Sequence, residues 1–134
     1  MVNIRVGCSA LIEHENKLLL GIRDKEPNKG MIITPGGGID IFEHMEETVK
    51  REIMEETGVN VCDLKQLKTY EIIDNSNEHR IIIYWSAKYN QNTIVSNSDL
   101  KNANFYTKNE IKNFYKQGKL SDITIKVLTD NNWL

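Results

Sequence analysis

A run of glycines that leads directly into a glutamate-rich segment constrains this chain more than any other feature. Pro35 begins the run Pro-Gly-Gly-Gly after the apolar residues 31–33, and the segment 37–59 then contains six glutamates. Proline and glycine clusters interrupt regular structure, and glycine lets the backbone approach a ligand closely. The pattern predicts a short strand, a tight glycine loop and an acidic helix, in that order.

The last turns of the predicted helix carry carboxylates where helix stability disfavours them. Glu52, Glu55 and Glu56 are spaced at i, i+3 and i+4, so they share one face of a helix. Glu55 and Glu56 also precede Gly58, a natural helix end, and there they oppose the helix dipole and repel each other. Most glutamate-rich helices are solvated faces that bind nothing. A bound cation is the simplest way to compensate for carboxylates in the last turn of a helix, where they are unfavourable.

The segment 37–59 resembles the signature box of the Nudix hydrolases, of the MutT-like type. The family pattern is Gly, five residues, Glu, seven residues, and then Arg-Glu-apolar-any-Glu-Glu-any-Gly-apolar. Every fixed position of the pattern is present, namely Gly37, Glu43, Arg51, Glu52, Ile53, Glu55, Glu56, Gly58 and Val59. The departures lie at unfixed positions, where Phe42 replaces a common glycine and Met31 a common tryptophan.

The resemblance implies hydrolysis of a nucleoside diphosphate linked to another group, with Mg²⁺ or Mn²⁺ as cofactor. Such hard cations prefer oxygen ligands, neutralise a pyrophosphate and lower the pKa of bound water. The metal ligands implied for this chain are Glu52, Glu55, Glu56 and the backbone carbonyl of Gly36 or Gly37. We expect Asp99 to join them, since MutT-type enzymes place an acidic residue at about this distance before an aromatic one.

The catalytic group implied by the resemblance consists of Glu52, Glu55 and Arg51. Glu52 is our choice for the residue that takes the proton from water, although another box glutamate or another loop could do so. Arg51 is expected to hold Glu43 or a helix glutamate in place through its guanidinium. Asp99 could instead be an ordinary turn residue, because aspartate is common in turns.

Residues outside the box offer weaker candidates. Arg23 and Arg5 could bind substrate phosphate, although a lone arginine is usually a surface charge. The aromatic residues could stack on a base, but aromatics at strand spacing usually pack in a core; these are Tyr84, Trp85, Phe105 and Tyr106. The three histidines, at positions 14, 44 and 79, lack ligand spacing and are expected at the surface.

The length of 134 residues suits one domain spanning 1–134. The net charge of −2, from 17 basic and 19 acidic residues, argues against broad binding to nucleic acid. No apolar run approaches a membrane span, and the N-terminus lacks a signal peptide, so we expect a cytoplasmic protein. Cys8 and Cys62 are expected to be reduced. The protein is expected to be a monomer or homodimer that binds a small nucleotide.

The order of predicted elements indicates an α/β fold. Alternating apolar residues predict strands over 2–12 and 17–23, and a short strand at 31–34 precedes the helix 44–57. Two further strands, 66–73 and 80–89, read as a hairpin with a turn at 74–77. A capping box opens a helix that Gly118 closes, and Ser121 is expected to cap a last one. This order predicts a mixed β-sheet with helices on both faces, matching the α/β/α sandwich of the Nudix fold.

The substrate is inferred by elimination. The chain has no proline after Pro35, so the downstream proline associated with ADP-ribose hydrolysis is missing. The tyrosine that marks dinucleoside polyphosphate hydrolases is replaced by residues 75–77, Asn-Ser-Asn. A nucleoside triphosphate, (d)NTP, is therefore favoured over ADP-ribose or a dinucleoside polyphosphate. The remaining alternative is a nucleotide-sensing domain without turnover, which the intact box disfavours.

Overall fold

One mixed sheet between two layers of helices organises the chain. A computed structural model describes residues 3–26, 28–74, 77–91, 94–95 and 99–134. In these residues the chain forms seven strands and three helices, in the order β1 Ile4–His14, β2 Lys17–Arg23, β3 Ile32–Ile33, β4 Gly36–Gly38, α1 Met45–Thr57, β5 Asn60–Ile73, β6 His79–Gln91, β7 Leu100–Thr107, α2 Lys108–Lys116 and α3 Asp122–Asp130.

The sheet contains both parallel and antiparallel pairs. Its main path runs β3-β2-β1-β6-β5, with β4 also beside β1 and β7 also beside β2. β1 and β6 are parallel, and the other strand pairs are antiparallel. The predicted mixed sheet and the predicted β5–β6 hairpin are confirmed. Asn75 and Ser76 of the predicted turn lie outside the described residues.

Alternating side chains of the strands reach two separate cores. Ala10 and Ile12 pack with Val49 and Ile53 of α1 on one face. Leu11, between them in the sequence, packs on the other face with residues of α2 and α3. Because successive side chains of a strand point to opposite faces, one strand can bind both helical layers. The predicted α/β/α sandwich is therefore confirmed.

β1 and β2 separate soon after the turn that joins them. They pair where Glu13 faces Leu18 and His14 faces Lys17. Beyond that point β4 becomes the neighbour of β1, while β3 and β7 pair with β2. The separation brings the glycine run into the sheet and places it beside the end of α1.

The glycine run differs from its prediction. We predicted a tight loop, but Gly36–Gly38 forms β4, an extended strand antiparallel to β1. The strand lies so close to β1 that a Cβ at Gly36 would overlap the carbonyl of Cys8 and the backbone of Ser9. Absence of a side chain, rather than a turn conformation, explains the glycine at this position.

One strand and the start of another strand were not predicted. β7 was missed, because the sequence Leu-Lys-Asn-Ala-Asn-Phe-Tyr-Thr shows little apolar alternation. β5 begins at Asn60 rather than residue 66, and it passes three irregularities in its pairing with β6. Both strands are partly polar because each has exposed positions.

Each of the three helices begins or ends at a predicted signal. α1 follows His44 and ends at Gly58, whose φ of 72° is the left-handed conformation that glycine favours. Thr107 and Glu110 form the predicted capping box of α2. Ser121 caps α3, where its hydroxyl accepts from the backbone N–H of Thr124. Among the described residues, no helix combines the length and apolar character needed to cross a membrane.

Candidate functional site

α1 presents its acidic face beside the glycine strand β4. Its apolar stripe confirms the predicted packing, since Val49 and Ile53 are buried in the core and Met45 packs against it. The remaining side of the helix carries the carboxylates toward β4. No basic residue lies in the last turn. The fold therefore retains the unfavourable arrangement that the sequence indicated.

Four glutamates, Glu43, Glu52, Glu55 and Glu56, form the acidic cluster. Arg51 contacts the first three of them. Its Nε and Nη2 atoms donate to the two carboxylate oxygens of Glu43 at 2.7 and 2.9 Å, a bidentate pair. Its Nη1 donates to Glu52 at 2.8 Å and to Glu55 at 3.3 Å. Nη2 also donates to the carbonyl of Gly38 at 3.0 Å. The predicted pairing of Arg51 with Glu43 and with helix glutamates is confirmed, and these contacts raise the pKa of Arg51.

Glu43 is the most strongly held carboxylate of the cluster. Besides Arg51, it accepts from the hydroxyl of Thr48 at 2.6 Å and from the backbone N–H of Asp40 at 3.2 Å. The arginine, followed by these donors, lowers the pKa of Glu43 to about 2. Asp40 also lies 3.4 Å from Nη2 of Arg51. The turn between β4 and α1 is thus fixed to the helix.

Glu52 lies directly against the glycine strand. A Cβ at Gly37 would overlap its carboxylate, so only glycine permits this approach. Burial raises the pKa of Glu52, although the hydrogen bond from Arg51 opposes that effect. The nearby charge of Glu55 raises it further. A carboxyl group with a raised pKa is better suited to accept a proton near neutral pH.

Glu56 points into the protein rather than toward Arg51. It is buried, and its Oε1 accepts from the backbone N–H of Gly36 at 2.8 Å. Burial is the main reason that the pKa of Glu56 rises to about 8, with the charges of Glu52 and Asp99 adding to it. The hydrogen bond from Gly36 and the charge of Arg23 act in the opposite direction. A buried carboxylate of this kind requires a cation or a proton.

Asp99 and Arg23 lie within electrostatic range of Glu56. The side chain of Asp99 pairs with Lys25 at 2.7 Å, and its backbone carbonyl accepts from the N–H of Asp24. The Nε of Arg23 donates to the carbonyl of Lys25 at 3.1 Å. Burial and then the charge of Arg80 lower the pKa of Arg23, while Asp99 and Glu56 raise it. Residues 96–98 of the predicted Asp99 loop lie outside the described part of the chain.

A polar cavity is lined by residues of β5, β6 and α3. It has a volume of about 360 Å³ and opens between the end of the β5–β6 hairpin and α3. Its polar lining consists of Asn28, Glu71, Asp74, Glu78, Arg80, Asp122 and Lys126. The charges of Arg80 and Glu78, two residues of the cavity lining, act on Arg23, and so does the charge of Glu56.

Arg80 is the cavity residue with the clearest capacity to bind a ligand. Its Nε atom is buried, lies 3.4 Å from the carboxylate of Glu78, and forms no hydrogen bond with any described residue. Arg5 faces Arg80 in the parallel β1–β6 pair, so both side chains lie on the same face of the sheet. Arg5 itself is exposed at the start of β1.

The donor set fits a hard divalent cation, although the carboxylates do not converge. Within the described ranges, no group of three His, Cys, Asp or Glu side chains is arranged to hold a metal ion. Arg51 holds Glu52 and Glu55, and Glu56 faces Gly36. The available ligands are carboxylate and carbonyl oxygens, which Mg²⁺ and Mn²⁺ prefer. Binding would require Glu52 or Glu55 to turn from the arginine.

Most of the other residues considered from the sequence pack in the cores or contact side chains outside the acidic cluster. Tyr84 and Trp85 are buried in the two cores, and Phe105 and Tyr106 pack against them, so the predicted packing of the aromatic residues is confirmed. Among the histidines, His14 contacts the rings of Tyr89 and Phe105, His44 precedes α1, and His79 pairs with Glu71. Cys8 is buried and Cys62 is partly buried, both as free thiols.

Two parts of the site were not predicted from the sequence. Asp40 and Gly38 were not expected as partners of Arg51, and neither residue carries a sequence signal for that role. Arg80 was also missed. Its position beside Arg5 follows from the parallel register of β1 and β6, which strand patterns alone do not show.

Comparison with known proteins extends the resemblance beyond the box. The sequence model of the NUDIX domain matches residues 1–126. An ADP-ribose pyrophosphatase of Methanocaldococcus jannaschii is 34% identical over 107 residues, which cover 79% of this chain and 63% of the relative. The chain therefore spans less than two thirds of the length of that protein.

Solved structures agree with the fold. A MutT NUDIX hydrolase from Burkholderia pseudomallei superposes with a TM-score of 0.82 at 25% identity, covering 95% of this chain and 97% of that one. A bifunctional NMN adenylyltransferase/ADP ribose pyrophosphatase from Francisella tularensis, solved with AMP and a Mn ion, gives 0.79 at 19% identity. The match covers 98% of this chain and 42% of the Francisella protein.

Proposed function

Because the chain belongs to the NUDIX domain family, we propose that it hydrolyses a nucleoside triphosphate to the monophosphate and pyrophosphate, using Mg²⁺ or Mn²⁺. The observation that carries this proposal is the approach of two α1 carboxylates to the glycine strand, where Glu52 lies against Gly37 and Glu56 accepts from the N–H of Gly36. A nucleoside triphosphate has a phosphate chain, which the cation held by the acidic cluster would bind, and one nucleoside, which the polar cavity would bind.

The acidic cluster supplies the oxygen ligands of the proposed metal site. Glu52, Glu55 and Glu56 would hold the cation together with the backbone carbonyl of Gly37. Asp99 is proposed as an additional ligand, supported by its electrostatic proximity to Glu56. When bound, the cation supplies charge neutralisation for the phosphates and a more acidic water.

Glu52 is proposed to accept the proton of the attacking water. Its carboxylate is partly buried, and burial raises its pKa toward neutral pH. Before a cation binds, the Arg51 hydrogen bond at 2.8 Å orients this carboxylate. Arg51 and Glu55 complete the catalytic group, with the arginine as a positioning residue, since its donors are directed at protein carboxylates and a backbone carbonyl.

The substrate is proposed to extend from the cluster past Arg23 into the cavity. Arg23 is proposed to contact phosphate oxygens. The cavity, at about 360 Å³, lies at the small end of the range for ligand pockets, about 300 to 1,000 Å³. That size favours a single nucleoside. Arg80 and Asp122 offer donors and an acceptor for the edge of a base.

ADP-ribose is the second candidate, because the 34% identical relative from Methanocaldococcus jannaschii is an ADP-ribose pyrophosphatase. In ADP-ribose the same pyrophosphate chemistry applies, but a second ribose replaces the terminal phosphate. Arg5, exposed on the face that carries Arg80, is the proposed contact for the distal part of either substrate. The absence of proline after Pro35 favours the triphosphate.

The test is a turnover panel of canonical and oxidised nucleoside triphosphates, ADP-ribose and diadenosine polyphosphates, each with and without Mg²⁺. We expect the highest kcat/KM for a triphosphate, with monophosphate and pyrophosphate as products. A clear preference for ADP-ribose over every triphosphate would contradict the proposal. Binding of nucleotide without any turnover would instead indicate a sensing domain.

Two variants assign the reaction to this site. Glu55→Gln should abolish turnover of the preferred substrate, which excludes a contaminating phosphatase. Arg80→Gln should raise KM with less effect on kcat, because it alters the cavity and not the cluster. Lys88→Gln, at an exposed position near the other end of β6, serves as the matched control and should leave both constants unchanged.

A further inference from the structure

Three buried hydroxyl groups lie behind the glycine strand, and the proposed reaction uses none of them. Ser9, Thr34 and Tyr84 are 7%, 6% and 2% exposed. The Tyr84 and Thr34 hydroxyl oxygens are 2.9 Å apart, and those of Thr34 and Ser9 are 2.7 Å apart. The Ser9 hydroxyl donates to the carbonyl of Pro35 at 2.7 Å. The three side chains therefore form a continuous hydrogen-bonded chain.

The Pro35 carbonyl, at the end of the three hydroxyl groups, fixes the direction of the hydrogen bonds between them. A carbonyl oxygen can only accept, so the single hydroxyl hydrogen of Ser9 is committed to Pro35. Thr34 must then donate to Ser9, and Tyr84 must donate to Thr34. Hydrogen bonds arranged in one direction polarise each other and strengthen the last of them. All three groups thus act on the Pro35 carbonyl.

The peptide between Pro35 and Gly36 connects this hydroxyl chain to the acidic cluster. A trans peptide is planar, so its carbonyl and its N–H point in opposite directions. The carbonyl of Pro35 accepts from Ser9 and from the backbone N–H of Ala10 at 3.1 Å. The N–H of Gly36 donates to Glu56 at 2.8 Å. Fixing the carbonyl therefore fixes the donor that orients the Glu56 carboxylate.

The packing of β4 leaves this peptide little freedom to compensate. Gly36 pairs with Ser9 in the sheet, and a Cβ at Gly36 would overlap the backbone of Ser9 and the carbonyl of Cys8. A change at Ser9 therefore reaches Gly36 directly. The Glu56 carboxylate, which is buried, has the Gly36 N–H as its hydrogen-bond donor.

We propose that Ser9, Thr34 and Tyr84 are positioning residues of the metal site, which act through the Pro35–Gly36 peptide to hold Glu56 ready for a divalent cation. The inference rests on the proposed role of Glu56 as a metal ligand. None of the three side chains is expected to touch the substrate or the metal. Their removal should weaken cation binding more than it weakens the fold.

Tyr84→Phe and Tyr70→Phe form a matched pair for the test. Each variant removes one hydroxyl from a buried tyrosine, and the two rings contact each other edge to face. The hydroxyl of Tyr70 donates to Asp130 at 2.7 Å and leads away from Gly36. Ser9→Ala is the stronger variant, because it removes the group that donates to Pro35 directly.

The first measurement needs no turnover. Hydrogen exchange and the ¹⁵N–¹H resonance of the Gly36 amide are recorded in metal-free protein, and Mn²⁺ or Mg²⁺ alone is titrated by calorimetry. Ser9→Ala should accelerate exchange at Gly36 and weaken metal binding by about tenfold, as loss of an outer-shell partner commonly does. Tyr84→Phe should change both in the same direction by less, and Tyr70→Phe should change neither.

Several outcomes would overturn the inference. Unchanged Gly36 exchange and metal affinity in Ser9→Ala would do so, as would equal effects of Tyr84→Phe and Tyr70→Phe. If Ser9→Ala does not fold, the tyrosine pair decides alone. If wild-type protein binds neither cation, the proposed metal site is wrong, and the proposed effect of the three hydroxyl groups on metal binding is wrong as well. The Gly36 amide still shows separately whether the hydroxyl chain fixes that peptide.

Discussion

Individual carboxyl groups of the acidic cluster are held in opposite protonation states by their neighbours. Arg51 and Thr48 stabilise the ionised form of Glu43, whose pKa falls to about 2. Burial stabilises the neutral form of Glu56, whose pKa rises to about 8. These two residues therefore link stability to pH with opposite signs. The difference is testable with substitutions that keep shape and remove charge.

Glu43 should stabilise the fold above pH 4.5 and lose that effect in acid. Its folded-state pKa lies below the ordinary value of 4.5, so the unfolded chain binds the proton first as pH falls. The contribution is present above pH 4.5 and declines toward pH 2. Glu43→Gln should therefore lower the free energy of unfolding at pH 6 and flatten its dependence between pH 4.5 and 2, measured by urea denaturation. An unchanged slope in that range would contradict the pairing with Arg51.

Glu56 should act in the opposite direction in metal-free protein. Its folded-state pKa of about 8 exceeds the ordinary 4.5, so the folded protein keeps a proton that the unfolded chain releases. Stability should therefore fall as pH rises from 4.5 to 8 and level off above 8. Glu56→Gln should reduce this fall and be the more stable protein at pH 8 in EDTA. Equal stability of variant and wild type at pH 8 would count against the buried carboxyl.

At the scale of elements, the turn that joins β4 to α1 is held in a conformation its sequence disfavours. The backbone N–H of Glu43 donates to the carbonyl of Asp40 at 3.0 Å, which closes a four-residue turn. Phe42 is its third residue, with φ of 66°, where a type II turn normally takes glycine. The Phe42 side chain is fully exposed and gains no packing in return.

Phe42→Gly should therefore leave the protein equally stable or stabilise it, by up to about 1.6 kcal/mol. Relief of a left-handed residue returns about 1 to 2 kcal/mol, and the greater flexibility of glycine when unfolded removes about 0.4 to 1 kcal/mol. Ile41→Gly is the matched control, because Ile41 is also exposed but has a negative φ. The control should be destabilised. Thermal melts of both variants test the sign, and equal losses would refute the strain.

The elements that could be predicted from sequence are those with local signals. α1 and α2 follow their apolar spacing and caps, and α3 forms despite its β-branched residues because Ser121 caps it. β7 carries asparagines at exposed positions and obtains its place from pairing with β2, which is not a local property. The conformation of β4 likewise depends on contact with β1 rather than on its own three glycines.

The same division applies to the candidate site. Spacing along one helix predicts that Arg51 can pair with Glu55, and the structure contains that contact. The opposite orientation of Glu56 depends on the Gly36 amide and on burial beneath β4. The hydroxyls of Ser9, Thr34 and Tyr84 come from three separate strands or loops, so only the folded chain brings them together.

At the scale of the whole molecule, the sandwich separates stability from the candidate reaction. Two cores on opposite faces of the sheet bury most apolar side chains. The acidic cluster lies at the edge of one core, where β1 and β2 have separated and β4 has taken the vacated edge. The two cores can therefore offset the mutual repulsion of the carboxylates. A cation that binds these carboxylates gains binding free energy by relieving the repulsion.

Metal removal should lower both stability and activity of the intact protein. A cation that binds only the folded state raises the free energy of unfolding by roughly 2.7 kcal/mol at 100 times its Kd. Wild type should melt at a higher temperature in Mg²⁺ than in EDTA, and it should be inactive in EDTA. Glu55→Gln and Glu56→Gln should lower kcat by orders of magnitude and lose the Mg²⁺-dependent rise in melting temperature. Their melting temperatures should be no lower than that of wild type in EDTA, because Glu55→Gln removes a repelling charge and Glu56→Gln replaces a carboxyl group whose charged form is disfavoured by burial.

Glu47→Gln is the matched control for these two variants. Glu47 lies in the first turn of the same helix, is exposed, and is a favourable partner of the positive end of the helix dipole. Its substitution removes the same charge from α1 without touching the cluster, so kcat and the response to Mg²⁺ should stay at wild-type values. Full wild-type activity in excess EDTA, or near-normal turnover by both Glu55→Gln and Glu56→Gln, would show that the acidic face of α1 is only solvated.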